Sequence, residues 1–174
     1  VLIDTAWDNP QTRQFLDFAR QTIRKPIEAC LVTHSHADKT GGLDEIFLAG
    51  IPVLMIESTC ALLKKAGMTH AVRIVADGPL PTGGLAIHIA WPGPAHAPDN
   101  VVVWIPRRNL LFGGCIVKSL DADSPGNTAD ADLDNWKKVC VALLGRYGQA
   151  TIVVPGHGEP GGLELIRHTV ALLP

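Results

Sequence analysis

The chain has 174 residues, enough for one domain with a proper buried core. With 47% hydrophobic and 18% charged residues it reads as globular, and a net charge of −2 leaves no electrostatic case for nucleic acid or an anionic membrane surface. No apolar run reaches the roughly 18 to 20 residues of a transmembrane helix, and no signal peptide precedes the strand-like opening Val1-Leu2-Ile3, which predicts a mature or truncated product.

After Leu2-Ile3-Asp4-Thr5, Asn9-Pro10 reads as an N-cap followed by proline at the first helical position. Phe15, Leu16, Ala19 and Ile23 then form one apolar face of a helix that ends near Pro26. The run from Ile27 to Val32 is mostly apolar and partly β-branched, as a strand should be. Thr33-His34-Ser35-His36-Ala37-Asp38-Lys39 follows, and Thr40-Gly41-Gly42 breaks the pattern before Leu43, Ile46 and Phe47 recur at helical spacing. The two histidines and the aspartate are therefore expected on a strand-to-helix loop. A short helix closed by Gly50, a strand from Pro52 to Ile56, and a helix capped by Ser58 and stopped at Gly67 continue the alternation. Strand and helix in turn are the signature of an α/β architecture.

From Ala71 the texture changes. Residues 72–75, 85–91, 101–105 and 110–112 read as strands, separated by turns at Asp77-Gly78, Gly83-Gly84 and Pro106-Arg107-Arg108-Asn109. Residues 118–130 are polar and form a loop. A helix follows with Leu133, Trp136, Val139, Cys140, Leu143 and Leu144 on its apolar side. Thr151-Ile152-Val153-Val154 is expected as a buried strand ending at Pro155-Gly156-His157-Gly158, before a last helix through Leu163, Leu165, Ile166 and Val170. There is no linker, low-complexity tract or repeat, so residues 1–174 are expected to form one domain.

The chemistry begins with His34, His36 and Asp38, three metal-ligand side chains within five residues. Three further segments repeat the layout of an apolar strand followed by a tight Gly- or Pro-rich turn carrying a ligand-type side chain. They place His96 after Trp91-Pro92-Gly93-Pro94-Ala95, Cys115 after Leu111-Phe112-Gly113-Gly114, and His157 after Val154-Pro155-Gly156. Six candidates allow two three-residue sites, and a catalytic zinc usually keeps three protein ligands. The other cysteines, Cys30, Cys60 and Cys140, lie in apolar sequence and are expected as small hydrophobes. His70, His88 and His168 match no motif and are read as structural or exposed; Trp7 and Trp91 fit either a substrate groove or core packing.

The set HSHADK, PGPAHAPDN, FGGCIVK, PGN and VPGHG resembles the metallo-β-lactamases, specifically their B1 subclass, over nearly the whole chain. HxHxD marks the wider superfamily, and cysteine in the Gly-Gly-Cys turn with lysine three residues later is the narrow signal. The resemblance implies an αββα sandwich, an α/β (α+β) fold, here expected without the strands and mobile hairpin that precede the family's counterpart of Leu2-Ile3-Asp4. It implies two zinc ions, one on His34, His36 and His96 and the other on Asp38, Cys115 and His157. It also implies that Asp38 orients a zinc-bound hydroxide, that Lys118 pairs with the substrate carboxylate, and that Asn127 lies near the β-lactam carbonyl. Asp4 and Thr33 are expected to hold histidine tautomers, and Lys39, where the family often has arginine, to act at most behind the ligands.

The expected activity is hydrolysis of the β-lactam amide of penicillins, cephalosporins and carbapenems, and the resemblance implies a monomer in the bacterial periplasm. A glyoxalase II-like thioesterase is the rival enzyme; that group has histidine where this chain has Lys39 and does not use the cysteine ligand. A non-catalytic zinc-binding fragment is the rival from another class.

Overall fold

The computed structural model describes residues 1–80 and 84–174; Gly83 of the expected Gly83-Gly84 turn lies outside them. The chain divides into two compact units, Val1–Ala76 and Asp77–Pro174.

The first unit is one parallel sheet in the order β1 (Leu2–Ile3), β2 (Cys30–Leu31), β3 (Val53–Met55) and β4 (Arg73–Ile74). Parallel neighbours need crossover connections. These carry α1 (Asn9–Phe18), then α2 (Ala37–Thr40) with α3 (Leu43–Leu48), and finally α4 (Glu57–Lys65). Leu16, Cys30, Val32, Ile46, Met55 and Cys60 form the centre of its core. Cys30 and Cys60 are buried there as the sequence predicts, and burial pushes the Cys30 thiol far up.

Several local expectations fail for identifiable reasons. The cap of α1 is Asp8, whose carboxylate accepts the Gln11 N–H at 2.8 Å, so Asn9 is already helical. From Ala19 to Ile23 the helix widens into a π turn, ended by Arg24 at φ 54°. Leu16 and Ala19 are buried; Phe15, next to Leu16 on the regular helix, is 38% exposed, and Ile23 at the end of the π turn, out of the 3.6-residue period, is 50% exposed. Ser58 is not a cap: α4 begins at Glu57, after Ile56. Asp38 sits in α2 rather than on a loop.

The second unit is a five-stranded sheet in the order β5 (Gly78–Pro79), β6 (His88–Ala90), β7 (Val102–Ile105), β8 (Leu110–Gly114) and β9 (Ile152–Pro155). Its pairs are antiparallel up to β8, and β9 joins β8 in parallel after the crossover through α5 (Leu133–Arg146). The last element is α6 (Glu164–Leu172). Gly78, expected in a turn, instead pairs with Ile89. The β9 strand, expected to be buried throughout, alternates: Val153 is fully buried while Ile152 is 41% exposed. It is the last strand in the sheet order, where one-sided cover suffices. Trp136, Val139, Cys140 and Leu143 of α5 pack with Leu111, Val153, Leu165 and Ile166. Burial raises the Cys140 thiol to about 12, so it too behaves as a hydrophobe.

Candidate metal centre

In the first unit, β2 runs into Thr33 and His34, both about 1% exposed. The ligand atoms of His34, His36 and Asp38 all lie within 4.8 Å of one another. His34 is set from behind. The Thr33 backbone N–H and hydroxyl donate to the two oxygens of Asp4 at 2.7 and 2.9 Å, and Thr33 Oγ1 stands 3.3 Å from His34 Nδ1. An ionised Asp4 only accepts, so the Thr33 proton is committed to it and the remaining lone pair takes the proton of His34 Nδ1. His34 Nε2 is then left bare, the form that binds a metal. Asp4 adopts a left-handed backbone at φ 62°, a strained conformation that turns its carboxylate under Thr33. Burial raises its pKa to about 7, with the hydrogen bond from the Thr33 backbone and the charge of Lys39 opposing.

Asp38 is held from two sides. Its Oδ2 lies 3.3 Å from the ammonium of Lys39, itself only 5% exposed, and its Oδ1 lies 4.0 Å from His34 Nε2. Lys39 thus forms an ion pair with Asp38. Thr5 fixes α2 in turn: its hydroxyl donates to the Lys39 carbonyl and accepts the Gly42 N–H.

In the second unit, β8 ends in the turn that carries Cys115, and β9 ends in the turn that carries His157. Cys115 Sγ and His157 Nε2 are 3.6 Å apart. The close approach depends on Gly156, where an added Cβ would meet the Cys115 sulfur and stand 2.6 Å from its backbone nitrogen. Both residues line a cavity of about 230 Å³ together with Lys118, Ser119, Asp123 and Gly126. His96 is buried, its ring centroid 5.4 Å from that of Trp136 in an edge-on contact. Trp136 also donates from Nε1 to the Ile116 carbonyl at 2.8 Å and carries Lys118 Nζ 5.2 Å from its ring.

Trp136 therefore contacts both the His96 loop and the turn that carries Cys115 and Lys118, although its place in the α5 apolar pattern marks it only as core. Asn100 is a second residue that the sequence reading missed. It accepts the Ala97 N–H and donates to the Gly93 carbonyl, closing the loop around His96. Two polar residues, Asp99-Asn100, directly before an apolar strand were the available signal, and both are fully or almost fully buried. Asn127 is not among the residues lining that cavity; it lies exposed, its Oδ1 accepting the Ala129 N–H. Trp7 and Trp91 are 59% and 44% exposed, which removes core packing for both. Of the unassigned histidines, His70 stacks on Phe47, and His168 Nε2 donates to the Ala122 carbonyl.

The donor set fits zinc. A cysteine sulfur and a histidine nitrogen sharing one tetrahedral zinc stand about 3.6 Å apart, given bonds of roughly 2.3 and 2.05 Å. Cys115 and His157 have that separation. Two nitrogen or oxygen ligands of one zinc stand about 3.4 Å apart. The 4.0 Å between His34 Nε2 and Asp38 Oδ1 is wider than that.

Residues 1–157 match the Metallo-beta-lactamase superfamily. The chain is 36% identical over 174 residues to a metallo-beta-lactamase type 2 from Bacillus cereus, covering 99% of this chain and 68% of that protein. Among solved structures, a metallo-beta-lactamase from Pontibacter korlensis superposes with a TM-score of 0.92 at 38% identity, covering 98% of this chain and 80% of that one. The metallo-beta-lactamase FIM-1 from Pseudomonas aeruginosa, in a mono-zinc form, gives 0.87 at 37% identity, covering 98% and 76%.

Proposed function

The chain belongs to the B1 subclass of the metallo-β-lactamase superfamily, and from that premise we propose that it is a zinc-dependent β-lactamase acting on penicillins, cephalosporins and carbapenems. The observation that carries the reading is the Cys115–His157 pair at the separation of two ligands of one zinc, with Lys118 lining the same cavity. The superfamily match runs through residue 157 and so includes all six expected ligands. We propose that His34, His36 and His96 would hold one zinc and Asp38, Cys115 and His157 a second, with residues 1–174 working as one catalytic domain. Zinc bound there supplies Lewis acidity and lowers the pKa of water to about 7, making a nucleophile available at neutral pH.

The protein's own groups do the rest. Lys118 offers a point charge to the substrate carboxylate. Lys39 neutralises Asp38 from its Oδ2 side, and the carboxylate lone pairs not used on metal accept a hydrogen bond from the attacking water and orient it. Asn127 uses its Oδ1 in its own turn, so its Nδ2–H is the group that stabilises the developing oxyanion of the lactam carbonyl. Thr33 and Asp4 keep His34 in its ligand tautomer.

Among the described residues no helix is long and apolar enough to cross a membrane. The relatives are bacterial, and we place this protein in the periplasm as a monomer that protects its host from β-lactams. The test is a side-by-side assay of a penicillin, a cephalosporin, a carbapenem and a glutathione thioester with the zinc-loaded protein. Opening of the β-lactam rings without thioester cleavage is the expected result. Thioester cleavage alone would favour a glyoxalase II-like enzyme, and neither activity in a zinc-loaded protein would leave a binding fragment.

A further inference from the structure

The turn carrying Lys118 is gripped from behind by two consecutive residues of α6. The Lys118 backbone N–H donates to Thr169 Oγ1 at 2.8 Å. The Thr169 hydroxyl proton is already committed to the Leu165 carbonyl at 2.8 Å, so its lone pair faces Lys118 and the direction of the bond is fixed. Thr169 is 1% exposed, which makes a lost partner at this point costly. Four residues on, the Ala122 carbonyl sits 2.8 Å from His168 Nε2, which must therefore carry its proton. The turn between these anchors closes on itself through the Ala122 N–H to the Ser119 carbonyl. It also lies against Gly158, one residue past His157: at φ +82° an added Cβ there would stand 2.6 Å from Ser119 Cβ.

We propose that His168 and Thr169 are positioning residues for substrate recognition: by clamping both ends of the turn from Lys118 to Ala122 onto α6, they set where the Lys118 ammonium meets the substrate carboxylate. This rests on the proposed role of Lys118 in β-lactam hydrolysis. Neither α6 residue is among those lining the cavity that holds Cys115, Lys118 and His157, so they act through the turn. The side chain of Lys118 reaches over Trp136, 5.2 Å from the ring, and its Nζ also lies close to Gly126, 3.6 Å from where a Cβ there would stand. A fixed backbone at residue 118 is what makes that aim reproducible, because a lysine stem on a loose turn has several rotamers to lose on binding.

The test compares Thr169→Val, Thr169→Ser and His168→Leu in the zinc-loaded protein. Substrates are a penicillin and its methyl ester, which lacks the charged carboxylate, and amide hydrogen exchange at Lys118 is read alongside. In Thr169→Val the KM for the acid should rise roughly tenfold, the equivalent of one lost hydrogen bond, with kcat within about twofold and the KM for the ester unmoved. The Lys118 amide should lose its protection in Thr169→Val and keep it in Thr169→Ser, which restores KM. His168→Leu, at the other anchor, should shift KM for the acid in the same direction and is the second variant if Thr169→Val does not fold. Equal KM rises for acid and ester, a fall in kcat with KM unchanged, or undiminished protection at Lys118 would overturn the inference while leaving the β-lactamase reading intact. No β-lactam turnover by the unsubstituted protein would overturn both.

Discussion

Replacing Thr33 by valine keeps the shape of the side chain and removes one hydroxyl. That hydroxyl donates to Asp4 Oδ2 at 2.9 Å and stands 3.3 Å from His34 Nδ1, all within a site where Thr33 and His34 are about 1% exposed. Two costs follow. A buried hydrogen bond to a charged acceptor is worth about 1.5 to 3 kcal/mol, and the Thr33 backbone N–H to Asp4 Oδ1 at 2.7 Å is the only one of the pair that remains. For a protein of this size, each kcal/mol lowers Tm by about 2 to 4 °C, so the metal-free variant should melt about 3 to 12 °C lower. The second cost falls on the metal: His34 loses the acceptor that keeps Nδ1 protonated and Nε2 bare, and losing such a partner typically weakens metal binding about 10- to 100-fold. Thermal unfolding of the metal-free protein at pH 8, where Asp4 is ionised, reads the first; zinc titration against a chromophoric chelator reads the second. Thr33→Ser should restore both. A Thr33→Val protein with unchanged Tm and unchanged zinc affinity would refute the relay from Asp4 through Thr33 to His34.

Four further outcomes follow from the same geometry. Cys115→Ser should weaken one of two zinc sites and cut turnover by orders of magnitude with the circular dichroism spectrum intact; two full zinc equivalents and normal activity in that variant would remove Cys115 from the ligand set. Lys118→Ala should mainly raise KM for carboxylate-bearing substrates, and a pure kcat loss would contradict its role. Gly156→Ala forces a methyl against the backbone of Cys115, an overpacking cost of about 1 to 3 kcal/mol; zinc titration should show the loss at the Cys115–His157 pair, and unaltered affinity would show that the turn can yield. The fourth concerns pH in the metal-free protein. Asp4 has its folded pKa raised to about 7 from 3.8, so the folded chain holds a proton that the unfolded chain has released. Its contribution is full below pH 3.8 and is lost as pH rises through about 7. Denaturation midpoints measured from pH 4 to 8 should fall with this slope, and Asp4→Asn should flatten it.

The turns that carry His96, Cys115 and His157 were legible because each couples two independent local signals, an apolar strand that stops and a Gly- or Pro-rich turn with a polar side chain. The α/β alternation of the first unit was legible for the same reason, since parallel strands are near-continuous apolar runs. Helix starts and faces were less so. Asp8 and Asn9 are both good caps, and only the chain path chooses Asp8; the π turn at Ala19–Ile23 has no sequence signature, yet it takes Ile23 off the apolar face that the 3.6-residue period predicts. Support for the site was the least legible. Trp136 looks like any apolar residue of α5, and Thr169 and His168 lie some fifty residues from the turn they hold. Nothing local marks them, because their roles exist only once α6 lies against residues 118–122.

The most direct test of the account is zinc-dependent turnover of a chromogenic cephalosporin. The protein is stripped with a chelator, dialysed, and assayed as zinc is added back while bound metal is counted. The account predicts no ring opening in the stripped protein and activity that returns with zinc, with two equivalents bound at saturation. Turnover that survives complete removal of zinc, or a fully loaded protein that opens no β-lactam, would contradict it.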